Sequence, residues 1–227
     1  MLQKLTILQF FLLLSALAFG QKATEVGIYG GISLYQGDLA QSPFSAEELN
    51  PAVALTYRQF FNPRVALRAS ALWTQLTGSD LPYTSRSTRG VVMKTSLVEA
   101  TIGAEWHLLG RARLNNTSAF RQKFSPYLGL SAGLAFANPE FTQPVDLPKK
   151  EEDFSTTFFV LPITAGLRFE MTRKLSVSVD FSTRPVFSDY LDGISENGNP
   201  DKRDWFFTSG ITILYSINAE NDEFAFD

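Results

Sequence analysis

The chain has 227 residues, enough for one substantial domain and short for two. A formal net charge of −3 leaves no basic footprint for nucleic acid. The absence of cysteine excludes a disulfide framework, a thiolate metal site and a lipoprotein anchor together.

Residues 1–20 stand apart. Lys4 supplies a positive start, Leu5 to Phe19 form an apolar run broken mainly by Thr6, Gln9 and Ser15, and Ala18-Phe19-Gly20 puts small residues at a cleavage site. The expectation is a secretory signal removed before Gln21, with a single membrane anchor as the other reading of the same run. Its loss takes one lysine and no acid, moving the net charge from −3 to −4. After Gly20 no apolar run approaches the length of a membrane helix, so a membrane protein with this profile has to be a barrel.

Read for period two, the mature chain gives eight strands. The first, Thr24 to Tyr35, sets Val26, Ile28, Ile32 and Leu34 against Tyr29, Ser33 and Tyr35. The second, near Pro51 to Phe61, sets Val53, Leu55 and Tyr57 against Ala54, Thr56 and Arg58. The third, Arg64 to Leu76, alternates Val65, Leu67, Ala69, Ala71 and Trp73 with Arg68, Ser70 and Thr74. The fourth is the cleanest, with Val98, Ala100, Ile102, Ala104, Trp106 and Leu108 opposing Glu99, Thr101, Gly103, Glu105 and His107. The fifth opposes Leu128, Leu130, Ala132, Leu134 and Phe136 to Tyr127, Gly129, Ser131 and Gly133. The sixth opposes Phe159, Leu161, Ile163, Ala165, Leu167 and Phe169 to Thr164, Gly166 and Arg168, and the seventh opposes Leu175, Val177, Val179 and Phe181 to Ser176, Ser178, Asp180 and Ser182. The last runs from Trp205 to Ile217, with Ser209 and Leu214 breaking its pattern.

Such runs, about 10 to 13 residues each, suit tilted membrane strands and exceed the usual soluble strand. A soluble sandwich or lipocalin-like barrel also alternates. An inward face of Gly, Ser, Thr, Tyr and charge, however, cannot make a dry hydrophobic core, and the continuous apolar face then needs lipid to cover it. The reading is an all-β, eight-stranded antiparallel transmembrane barrel of the outer-membrane type over residues 21–217, with an acidic periplasmic tail at 218–227. Tight turns fall at Asn62-Pro63 and Thr172-Arg173, and long loops at 36–50, 77–95, 137–156 and 185–204. Long loops outside and an even strand count place both termini in the periplasm. Trp73, Phe136, Phe158, Phe159 and Trp205 above, with Phe61, Trp106, Phe169 and Tyr215 below, would form the two aromatic girdles.

Eight strands leave an interior just wide enough for side chains. Glu25, Arg58, Arg68, Glu105, Arg168 and Glu170 fall in its lower half and Glu99, Asp180 and Arg184 higher, and ions so confined should pair off as a structural plug. The sharper alternatives are an ion path or a catalytic Glu105–His107 pair. His107 is the only histidine, so no second imidazole helps it hold a metal, and the apolar face carries no nucleophile or base for lipid chemistry. No cofactor or enzyme motif appears either. Two charged segments would face the periplasm. The connection after the fourth strand carries Arg111, Arg113, Arg121 and Lys123, and the tail carries Glu220, Asp222 and Glu223. Solvated surface is the plain reading of both, and docking to each other or to a partner is the sharper one.

Several segments resemble one family. Glu25-Val-Gly-Ile-Tyr-Gly-Gly-Ile-Ser, then Tyr35-Gln-Gly37-Asp38-Leu, is similar to the opening strand and loop of PorG-like barrels of the type IX secretion system. Pro126-Tyr-Leu-Gly-Leu-Ser-Ala-Gly and Leu161-Pro-Ile-Thr-Ala-Gly-Leu-Arg-Phe fit that family's fifth and sixth strands. Ser188-Asp189-Tyr190-Leu-Asp192-Gly-Ile-Ser resembles its acidic loop before the last strand. The resemblance implies a non-enzymatic outer-membrane component that anchors a periplasmic ring made of a lipoprotein and its partner. A stand-alone OmpA- or OmpX-like barrel for adhesion or membrane integrity is the alternative. A small porin or a lipid-modifying barrel enzyme stands last.

Overall fold

The computed structural model describes residues 23–36, 49–79, 92–110, 124–142, 156–172, 174–187 and 205–217. They form β1 (Thr24–Gln36), β2 (Asn50–Phe60), β3 (Val65–Ser79), β4 (Val92–His107), β5 (Phe124–Thr142), β6 (Thr157–Val160), β7 (Ile163–Glu170), β8 (Leu175–Pro185) and β9 (Trp205–Ser216). β6 and β7 are one barrel strand. Both keep a single register against β5, Val160 opposite Gly133 and Ile163 opposite Leu130, and the break between them is Leu161-Pro162. Every neighbouring pair is antiparallel, and the β1–β9 ladder closes the wall. The result is a closed eight-stranded barrel.

Its geometry follows from register. A walk around the wall through directly opposed residues starts at Arg168 and passes Ser178, Thr212, Tyr29, Ala54, Leu72, Glu99 and Ala135. It returns to the starting strand at Phe158, ten residues before Arg168. A stagger of that size over eight strands tilts them by about 40° from the axis.

Alternation sorts the side chains as the strand period requires. The outward residues are exposed apolar groups on every strand, Ile28 at 67% and Ile102 at 56% among them, while Arg58 and Arg168 are buried inside. The outward run from Val98 to Leu108 on β4 covers roughly 25 Å along the axis, the height of a membrane barrel's apolar band. Trp106, Phe169, Tyr215 and Phe61 ring the short-turn end, called lower here, and Trp73, Phe136, Phe159 and Trp205 ring the upper end. No helix among the described residues is long and apolar enough to cross a membrane.

The two short turns share one design. Asn62 Oδ1 accepts the backbone N–H groups of Arg64 and Val65, both at 2.8 Å. Thr172 Oγ1 accepts that of Leu175 at 2.9 Å. Each side chain replaces the backbone acceptor that a reversing chain loses.

Three expectations need correction. Phe158 is not a girdle residue, since it turns inward and is 4% exposed. The upper strands run further than alternation alone suggested. β3 continues to Ser79, β4 starts at Val92 and β5 reaches Thr142, so parts of two long loops are paired sheet. Outward groups there are polar (Thr77, Lys94, Asn138), which fits a ladder rising out of lipid into water. The third correction concerns the core. Tyr35, Leu72, Leu76, Leu97, Phe158, Val160, Val186 and Phe206 join in an apolar cluster inside the upper half of the barrel. The interior is not polar throughout.

Candidate functional site in the barrel interior

The lower interior is built around Glu105. Its carboxylate lies 2.9 Å from Arg58 Nε, 3.1 Å from Arg68 Nη1 and 3.4 Å from His107 Nε2, bringing β2, β3 and β4 to one point. Arg58 also donates to Tyr127 Oη at 3.2 Å, and Tyr127 donates to Asp180 Oδ2 at 2.9 Å. The chain of contacts therefore crosses the lumen from β2 through β5 to β8. The Tyr127 ring approaches Gly166 closely, where an added Cβ would meet Cζ at 2.5 Å. Any side chain at Gly166 would expel the ring that relays Arg58 to Asp180.

A second group closes the barrel. Arg168 on β7 holds Glu25 on β1 with two parallel bonds of 2.6 Å and reaches Glu170 at 3.4 Å. Charge-assisted, bidentate and sealed, this pair has the strong geometry for guanidinium and carboxylate. Its partners lie 143 residues apart in sequence and span β8 and β9. Arg168 also sits over the ring of Phe60, which packs with Ala23 and Ala66 as an apolar floor. Higher up, Arg184 Nε donates to Glu99 at 3.1 Å and its Nη1 donates to Thr208 Oγ1. Arg184 stacks beneath Phe206 of the upper cluster. The nine charged residues assigned to the lumen from sequence thus stand in three connected groups.

Glu105 and His107 meet at 3.4 Å, both buried. His107 is fully buried between Phe60 and Tyr127, with ring centroids 5.1 and 5.2 Å away. Glu105 is held by two arginines. The described residues contain no group of three or more His, Cys, Asp or Glu placed to hold a metal ion. Arg111, Arg113, Arg121, Lys123, Glu220, Asp222 and Glu223 lie outside the described residues, as do Gly37, Asp38, Asp189, Tyr190 and Asp192.

Sequence reasoning missed the apolar half of the plug. The signal was present as lapses in alternation: Phe158-Phe159, Leu97-Val98, Phe206-Phe207 and Ala71-Leu72-Trp73 put an apolar residue on both faces at one height. Phe60-Phe61 does the same at the floor.

A closed antiparallel barrel of eight strands, apolar outside and filled within, defines a transmembrane β-barrel of the outer-membrane type. The chain belongs to the family described as a domain of unknown function (DUF6089), which matches residues 3–224. No protein of curated function matches it in sequence. Among solved structures it is similar to Ail, the attachment invasion locus protein of Yersinia pestis, at 14% identity and a TM-score of 0.45, covering 85% of this chain and 98% of that one. Neisserial surface protein A matches at 11% identity and a TM-score of 0.46, covering 86% and 97%. The outer membrane enzyme PagL matches at 15% identity and a TM-score of 0.39, covering 84% and 97%. These likenesses carry no function across.

Proposed function

We propose that the protein is a non-enzymatic, non-conducting barrel of the bacterial outer membrane that works through what its connections bind. The sealed interior carries this reading. Phe60, Ala23 and Ala66 close the lower end, the ion groups fill the middle and the Tyr35–Leu97–Phe206 cluster closes the top. A wall that admits nothing leaves the loops and turns to do the work. Both termini and the short turns then face the periplasm, with the long connections outside.

The resemblance to PorG-like barrels supports a particular version, in which the barrel anchors a periplasmic ring of a lipoprotein and its partner. The basic connection after β4 and the acidic tail are the sizeable docking surfaces in sequence. Opposite charges there would favour partner choice and encounter rate more than raw affinity. Replacing Arg111, Arg113, Arg121 and Lys123 with Ser, or deleting the chain after Asn218, is expected to reduce recovery of periplasmic partners in detergent pull-downs. Heat-modifiable gel mobility should survive the Ser replacements, because those positions lie outside the strands. Unchanged recovery in both variants contradicts the anchoring role. A stand-alone surface barrel is the second reading, favoured by the ladders of β3, β4 and β5 that rise above the lipid belt.

A further inference from the structure

Prolines in sheets belong at edges, because a ladder position needs an N–H donor that proline lacks. A closed barrel has no edge, yet this wall carries two adjoining prolines. Leu161 N–H donates to Pro185 O at 3.3 Å, a long bond, and the return bond from residue 185 to Leu161 O cannot form. On the other side of the same strand Ser131 N–H donates to Pro162 O at 2.9 Å, and the return bond to Ser131 O is likewise missing. Half the ladder bonds on both sides of Leu161-Pro162 are therefore lost. That is why β6 and β7 part there. The ladder resumes at Phe187 N–H to Phe159 O, 3.0 Å.

The notch lies at the upper girdle, with Trp205 directly opposite Pro185. Two aromatic pairs flank it on the outer face. Phe159 meets Phe187 at 5.4 Å, and Phe181 stacks on Phe207 at 5.7 Å. Between them, on the outward parity, Thr183 Oγ1 is sealed from solvent and makes no hydrogen bond among the described residues. The patch therefore combines a backbone carbonyl without a ladder donor and exposed rings continuous with the lipid belt, above a sealed hydroxyl. A bare carbonyl in that setting is costly unless something from the membrane donates to it.

We propose that this proline notch is a docking site for a membrane lipid with a primary-ammonium headgroup, which donates to Leu161 O while its chains lie against Phe159 and Phe187. The inference rests on the membrane-spanning barrel and is independent of any periplasmic partner. An acceptor at Leu161 O selects a donor headgroup, and quaternary ammonium headgroups have no hydrogen to give.

The test uses the full mature chain in phosphatidylcholine vesicles. Trp73→Phe with Trp106→Phe leaves Trp205 as the reporter. Quenching is compared for equal fractions of brominated-chain phosphatidylethanolamine and brominated-chain phosphatidylcholine. The ethanolamine lipid should be enriched around Trp205 by about two- to tenfold, the factor that one net hydrogen bond supplies. The Trp73-only protein, reporting from the same girdle on the far side of the barrel, should show no preference. Pro185→Ala restores the missing N–H and should abolish the preference, while Pro162→Ala leaves the Leu161 notch and should preserve it. Equal quenching at Trp205, equal preference at both reporters, or a preference that survives Pro185→Ala overturns the proposal. If Pro185→Ala does not assemble, the contrast between the two reporters decides alone.

Discussion

The two halves of the lumen solve one problem by opposite means. Below, long charged side chains from β1, β2, β3, β4 and β7 converge in Arg–Glu groups, and each ion's cost is offset only by its partners. Above, Leu72, Leu76, Leu97, Phe158 and Phe206 pack as an apolar core around the single Glu99–Arg184 pair, and among these apolar residues no one contact is obligatory. The comparison teaches that a barrel's interior need not be polar merely because its exterior is apolar. What matters at each height is that the space is filled and each buried Arg and Glu has an opposite partner.

This contrast predicts unequal sensitivity to substitution. Glu105→Gln should have the largest effect, about 3–5 kcal/mol in an unfolding titration in lipid vesicles, because it leaves Arg58 and Arg68 as uncompensated buried charges. Replacing Arg58, Arg68 and Glu105 together with apolar groups of similar volume should recover much of that loss, and no recovery would mean the charges do more than fill space. Leu97→Ala in the upper half should cost about 2–5 kcal/mol through its cavity, yet Leu97→Met should cost under about 1.5, since shape rather than pairing is at stake. A Met variant as damaging as the Ala variant would blur the comparison.

The outer wall supplies the next smaller effect. Arg at Ile102 or Ala132, both mid-strand and outward, should destabilise the barrel by about 2–4 kcal/mol. Arg at Thr101 or Ser131 should escape the lipid penalty, although crowding adds its own cost. Equal lipid penalties on the two faces would reverse inside and outside. Smallest of all, Asn62→Ala removes one acceptor from a solvent-facing turn and should cost about 1 kcal/mol in the same titration.

Much of this was legible in the sequence because strand period is a local property. Glu99, Glu105 and His107 alternate with Val98, Ala104 and Trp106, so inside and outside can be told apart before any partner is known. The charged groups could be collected in the same way, but not paired. Arg168 reaches Glu25 across β8 and β9 only because of the ten-residue stagger, which is a property of closure and not of any strand. The upper core was harder still. Leu72, Leu97 and Phe206 look like lapses in an alternating pattern, and only the three-dimensional height they share makes them a cluster. The continuation of β5 to Thr142 is likewise set by pairing with β4, since Asn138, its outward residue above Phe136, is as polar as a loop residue.

The central claim is that both ends of the lumen are shut. Single-channel recording on the mature protein inserted in planar bilayers tests it most directly. An electrically silent membrane, at protein densities where assembly is confirmed by heat-modifiable mobility, is the predicted result. A stable, stepwise conductance from the unmodified chain would contradict the account.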